Sequence, residues 1–134
     1  MKTAIDSSAL LSIFNGEAKA DAWIRILIEA RRQGQLVICD VVYAELSPAF
    51  RSKSQLDGAI KKLGIVFEST SVEAAWKAGA VFRSYREAGG PRTFLIPDFL
   101  IAAHALVHAD QLLAFDRGYL RRYFKSLKVI FPDD

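Results

Sequence analysis

Short apolar runs rich in branched residues alternate along this 134-residue chain with longer segments of helical period, the rhythm of β-α units wound into a parallel sheet. The runs predict strands near residues 2–5, 36–39, 64–68, 111–115 and 128–131. The segments between them predict helices near 7–15, 17–33, 41–51, 53–62, 71–88, 98–108 and 117–125. Gly34, Gly64 and Gly89-Gly90-Pro91 stand where the second, fourth and fifth of these helices should stop, as residues that favour helix ends do. No repeat, low-complexity tract or linker breaks the pattern. It predicts a single α/β domain over residues 1–134, with a central, mainly parallel sheet of about five strands and helices on both faces.

Four acids recur at equivalent places in this rhythm. Asp6 follows the first strand, Asp116 follows the run Leu112-Leu113-Ala114-Phe115, and Asp98 and Glu45 lie at or near helix starts. In a parallel α/β sheet the carboxyl ends of the strands open onto one crevice, so acids placed there can converge. An Asp before a helix is by itself well explained as a cap of free backbone N–H groups, and Asp40 is read that way, ahead of the helix carrying Glu45. Glu45 escapes this explanation. At about 100° per residue it shares a face with Val41, Val42 and Ala49, which predicts a carboxylate directed toward the interior. Asp98 begins the uncharged stretch Phe99-Leu100-Ile101-Ala102-Ala103, expected to be a central buried helix, with Ala102, Ala105 and Ala109 on its own face. Converged carboxylates without Cys or His suit Mg²⁺ or Mn²⁺ rather than Zn²⁺.

Composition adds limits. The chain is 51% apolar, enough for a real core. The single Cys39 sits in Leu36-Val37-Ile38-Cys39 with no basic neighbour to lower its pKa, which predicts a buried, inert thiol. The chain opens directly into its first strand, and no apolar run is long enough to span a membrane, so a cytoplasmic location is expected. A net charge of +3 is too small to announce a nucleic-acid binder. Its distribution says more, since Arg117, Arg121, Arg122, Lys125 and Lys128 follow Asp116 without an intervening acid. Arg92 lies in the loop-like stretch 87–93, a candidate flap ahead of Asp98.

At these residues the chain resembles the PIN-domain ribonucleases, and among them the VapC-type toxins of toxin–antitoxin pairs. Ile5-Asp6-Ser7-Ser8-Ala9-Leu10 is similar to the family's first acid segment, Val42-Tyr43-Ala44-Glu45-Leu46 to the second, Pro97-Asp98-Phe99-Leu100-Ile101-Ala102-Ala103 to the third and Leu112-Leu113-Ala114-Phe115-Asp116-Arg117-Gly118-Tyr119 to the fourth. The resemblance implies a PIN-like fold and Mg²⁺- or Mn²⁺-dependent hydrolysis of RNA. For that chemistry the acid cluster makes Asp6 and Asp98 the expected direct metal ligands, with Glu45 and Asp116 binding through water or orienting the nucleophile. Ser7 becomes a hydrogen-bond donor to a ligand carboxylate or to phosphate. Arg117, Arg92, Arg121, Arg122 and Lys125 become the RNA-binding residues, and a cognate antitoxin and a second copy of the chain the protein partners. Two positions depart from the family's pattern: Ala114 replaces a frequent hydroxyl and Gly118 a frequent acid. Both bear on a second metal more than on the first.

Other readings fare less well. A receiver-like domain would need an adjacent acid pair after the first strand, and a dehalogenase-like one Asp-x-Asp, where this chain has Asp6-Ser7-Ser8. The alternative is a weak or inactive PIN module that binds RNA or protein, opposed by the four acids and favoured by Ala114. His104 and His108, four apart on a helix, lack the protease motif's Glu and fall on a different face from Asp98, which predicts packing or surface roles. Trp23 and Trp76 mark amphipathic helices and are expected in the core, with any surplus apolar surface serving a homodimer or an antitoxin.

Overall fold

The computed structural model describes residues 1–92, 94–115 and 118–132. Strands β1 (Lys2–Ile5), β2 (Gln35–Ile38), β3 (Ile65–Phe67), β4 (Gln111–Leu113) and β5 (Val129–Ile130) form one parallel sheet in the order β3-β2-β1-β4-β5. The chain therefore winds outward from β1 through β2 to β3, then returns to β4 on the other side. That reversal makes the gap beyond the carboxyl ends of β1 and β4 a topological switch point, the place where α/β sheets bind ligands. Every residue of β4 is buried, as are three of four in β1 and β2. Successive strand side chains point to opposite faces, so continuous burial requires cover on both.

The cover comes from α1 (Ser7–Phe14), α2 (Ala20–Gln33), α3 (Asp40–Leu46), α4 (Lys53–Lys62), α5 (Val72–Glu87), α6 (Ile96–His108) and α7 (Tyr119–Tyr123). Helix α1 packs on α2 and α3, and α6 packs on α5 and α3. As expected, α6 is buried on most sides, through Phe99, Ile101, Ala102, Ala103, His104 and Ala105. Small buried residues on both helices, Ala102 and Ala105 of α6 and Ala74 and Ala78 of α5, suit the close packing of the pair. Phe99 anchors an aromatic core with Phe82, Tyr85, Tyr119 and Phe124. Burying a side chain of this size contributes about 2–3 kcal/mol.

Several expectations shift. The helix predicted over 41–51 stops at Leu46 and continues only as a 3-10 turn, Ser47–Ala49, because Pro48 lacks the N–H an α-helix needs there. Helix α6 starts two residues early, with Pro97 in the first turn, where its missing donor costs nothing. Asp40 does not cap α3: its Oδ1 accepts from the Thr70 N–H (2.9 Å) and hydroxyl (2.5 Å), tying the segment after β3 to α3. Burial pushes that carboxyl up, and the Thr70 donors overcome it, holding the group below its ordinary value. Trp23 is buried, its ring edge-on to Phe115 at 5.1 Å, but Trp76 is 79% exposed. The buried face of α5 is set by Ala74 and Ala78, and a residue two positions from either points about 200° away.

The two histidines have structural roles. His104 Nε2 meets Glu68 Oε1 at 2.9 Å and His108 Nε2 meets Ser71 Oγ at 2.6 Å. Cys39 is buried, and burial pushes its thiol up, in line with an inert role. Among the described residues no helix is long and apolar enough to cross a membrane.

Candidate active site

The first acid is fixed where β1 ends. The Asp6 N–H donates to Leu113 O at 2.9 Å, which anchors the residue at the seam between β1 and β4. Asp6 holds the N-cap position of α1 in extended backbone (φ −74°, ψ 151°) without a side-chain cap bond. Its carboxylate Oδ2 instead accepts from Ser8 Oγ. Ser7, the first residue of α1, is buried and donates from Oγ to Glu45 Oε1 at 2.7 Å. One turn of helix thus holds two acids from distant parts of the chain.

Asp98 arrives from the opposite direction. In the first turn of α6 its Oδ2 accepts the Leu95 N–H at 2.9 Å, and its own N–H donates to Leu95 O at 3.0 Å. The backbone satisfies one carboxylate oxygen, as in a capping interaction, and capping and ligand binding remain compatible. Asp6, Ser7, Ser8, Leu11, Glu45, Asp98 and Phe115 line a single cleft of about 230 Å³. Three of the four predicted acids therefore line one cleft. Asp116 and Arg117 lie outside the described residues.

Glu45 differs from expectation in one respect. Val42 and Leu46 are buried, but Glu45 itself is exposed. It lies at the margin of the apolar stripe, where α3 borders the cleft, so burial is not what constrains it. The Ser7 hydroxyl is. Ser8 and the Leu95 N–H are the donors that residue periodicity did not single out. A Ser two positions after an Asp is a local side-chain hydrogen-bond pattern, and that was the available signal. Nothing in the sequence points to Leu95, because its contribution is a backbone group.

Carboxylates gathered in one cleft repel each other and favour a cation. The donor chemistry fits a hard ion: the polar side chains lining this cleft are carboxylates and hydroxyls, with no imidazole or thiolate among the described ones. Among the described residues, no group of three or more His, Cys, Asp or Glu side chains is placed to hold a metal ion. Mg²⁺ commonly takes only one or two carboxylates and keeps several waters, so Asp6 and Asp98 could hold it with water completing the shell. Arg92, Arg121, Arg122 and Lys125 are exposed, and the Arg122 guanidinium lies over the Tyr123 ring at 5.5 Å. Ala114 is buried, its N–H donating to Ile130 O at 3.1 Å.

Residues 3–125 match the PIN domain family. Among solved structures, VapBC2 from Rickettsia felis, bound to a DNA fragment from its promoter, matches with a TM-score of 0.76 at 18% identity, over 99% of this chain and 100% of the other. VapBC-1 from nontypeable Haemophilus influenzae gives 0.71 at 20% identity, over 98% of each chain. FitAcB from Neisseria gonorrhoeae gives 0.61 at 14%, over 96% of each. At these identities the likeness is one of fold. No curated protein matches the sequence significantly.

Proposed function

We propose, from the premise that this chain belongs to the PIN domain family, that residues 1–134 form a metal-dependent endoribonuclease acting as the toxin of a toxin–antitoxin pair. The convergence of Asp6, Glu45 and Asp98 from three separate elements onto one cleft at the switch point carries this reading. Full-length likeness to chains from VapBC complexes supports the toxin assignment and an antitoxin partner. The exposed apolar pair Val72 and Trp76 on α5 supports a protein-contacting face, used by the antitoxin or a second copy. Cytoplasmic action on RNA follows from the same reading.

The chain's own residues divide the work. Asp6 and Asp98 would hold Mg²⁺ or Mn²⁺, each steadied by a donor that orients an oxygen without neutralising it: Ser8 Oγ for Asp6, the Leu95 N–H for Asp98. Glu45, fixed by Ser7, orients the attacking water, and Asp116 completes the acid set. When bound there, such an ion would lower the pKa of water and offset charge on the phosphate. Arg92, Arg117, Arg121, Arg122 and Lys125 bring the RNA backbone to a negative cleft.

The test is inducible expression in bacteria of wild type against Asp6→Asn, with RNA ends mapped genome-wide, beside Mn²⁺-stimulated cleavage by the purified proteins. Toxicity and new RNA ends that vanish in Asp6→Asn, with the fold intact, are expected. Wild-type binding of RNA without any cleavage would replace this reading with the non-catalytic PIN module.

A further inference from the structure

Beside the acid cleft lies a second cavity, of about 310 Å³, that the proposed hydrolysis does not use. Its lining includes Tyr85, Gly90, Phe94, Tyr119, Arg122 and Tyr123. The aromatic rings are mutually braced. Phe94 and Tyr119 lie with centroids 4.5 Å apart and planes tilted by 36°, and Tyr123 packs edge-on against Tyr85 at 5.3 Å while carrying Arg122 over its ring. Tyr85 is buried and donates its hydroxyl to Pro91 O, pinning the loop between α5 and α6. Gly90 is required for that approach, since a Cβ there would stand 2.5 Å from the Tyr85 ring.

We infer that this pocket receives a nucleobase of the single-stranded RNA substrate and so sets base preference beside the cut. The inference rests on the endoribonuclease reading, and four observations carry it. The volume lies at the lower end of small-ligand sites, which suits one base and excludes a duplex or a helix. Aromatic planes and an Arg are the groups on which unstacked RNA bases are held. The loop amides of Gly89 and Gly90 already donate to Arg86 O and Tyr85 O, so the loop offers carbonyl acceptors, partners for base N–H groups.

Position is the fourth. Phe94 directly precedes Leu95, whose N–H holds Asp98. Phe115 lines the acid cleft and Gly118 the aromatic pocket, three residues apart and thus no more than about 11 Å between their Cα atoms. Gly118 has φ +98°, a conformation that L side chains rarely adopt.

The probes are the four ribonucleoside 5′-monophosphates and ribose 5-phosphate, titrated without divalent metal into the ¹⁵N-labelled full chain. At least one nucleotide should shift the Gly90, Phe94 and Gly118 amides at a concentration about fivefold or more below that needed for ribose 5-phosphate. In Tyr123→Leu, which keeps apolar bulk, that advantage should fall to near unity with the rest of the spectrum unchanged. Equal response to ribose 5-phosphate, or an undiminished advantage in Tyr123→Leu, would overturn the pocket. Cleavage of oligonucleotides differing at one base separates the two ideas: cutting without base preference removes the pocket and keeps the nuclease, whereas base-selective binding without cutting does the reverse.

Discussion

Two polar clusters, both anchored on α6, are built on opposite logic. At the N-terminus of α6, Asp98 joins Asp6 and Glu45 around an open cleft, where Ser7, Ser8 and the Leu95 N–H orient carboxylate oxygens. Two turns on, His104 is 1% exposed and meets Glu68, which also accepts from Lys2 Nζ. Burial pushes Glu68 up, but Lys2 and His104 outweigh it and hold the carboxyl below its ordinary value. For His104 burial wins over the pull of Glu68 and lowers the imidazole pKa. The first cluster keeps charge in reach of a ligand. The second spends it on internal partners, as a structural tie between β1, the segment after β3 and α6 does.

If this contrast is right, the two clusters should fail differently. Asp98→Asn is expected to lower Mn²⁺-stimulated RNA cleavage by more than about a hundredfold, since even supporting residues around a metal commonly cost 10–100-fold. Its melting temperature should stay near wild type; a collapse of stability instead would make Asp98 structural. His104→Ala should do the reverse. Losing a buried ring and leaving Glu68 short of a donor should cost roughly 2–4 kcal/mol in denaturant unfolding, with cleavage by the remaining folded protein little changed.

Acid sharpens the same contrast. His104 is lowered from 6.5 and Glu68 from 4.5, so unfolding takes up protons at both. The His104 contribution is complete above pH 6.5 and is lost as pH falls through that value toward the folded pKa. The Glu68 contribution is complete above pH 4.5 and is lost below it. Thermal stability should therefore decline from pH 7 toward pH 4, less steeply in His104→Ala, which removes the imidazole that takes up a proton on unfolding; an increase on acidification would reverse the assignment. Ser7→Ala should have the smallest effect, about tenfold in cleavage and about 1 kcal/mol in stability, because Glu45 loses one orienting donor but stays solvated. Cleavage kinetics and urea unfolding read both numbers.

Much of the fold was legible because its elements are separately encoded. Branched apolar runs marked all five strands, and the uncharged stretch after Asp98 marked the buried helix α6. Where local rules compete, the reading drifted. Pro48 cut the predicted helix short at Leu46, and Trp76 lies outside because two alanines, smaller but better placed, chose the buried face of α5. Asp40 looked like a cap, yet Thr70, thirty residues later, took its carboxylate.

By itself the sequence determined which acids stand after strands and at helix starts, since strand and helix periods are properties of neighbouring residues. Only the tertiary structure decided which of them share a cleft, that Glu45 is accessible rather than buried, and that Ser8 and a backbone amide hold their partners. The physical reason is the order of the sheet. A reversal between β1 and β4 brings together chain segments about a hundred residues apart, and contacts of that range leave no period in the sequence.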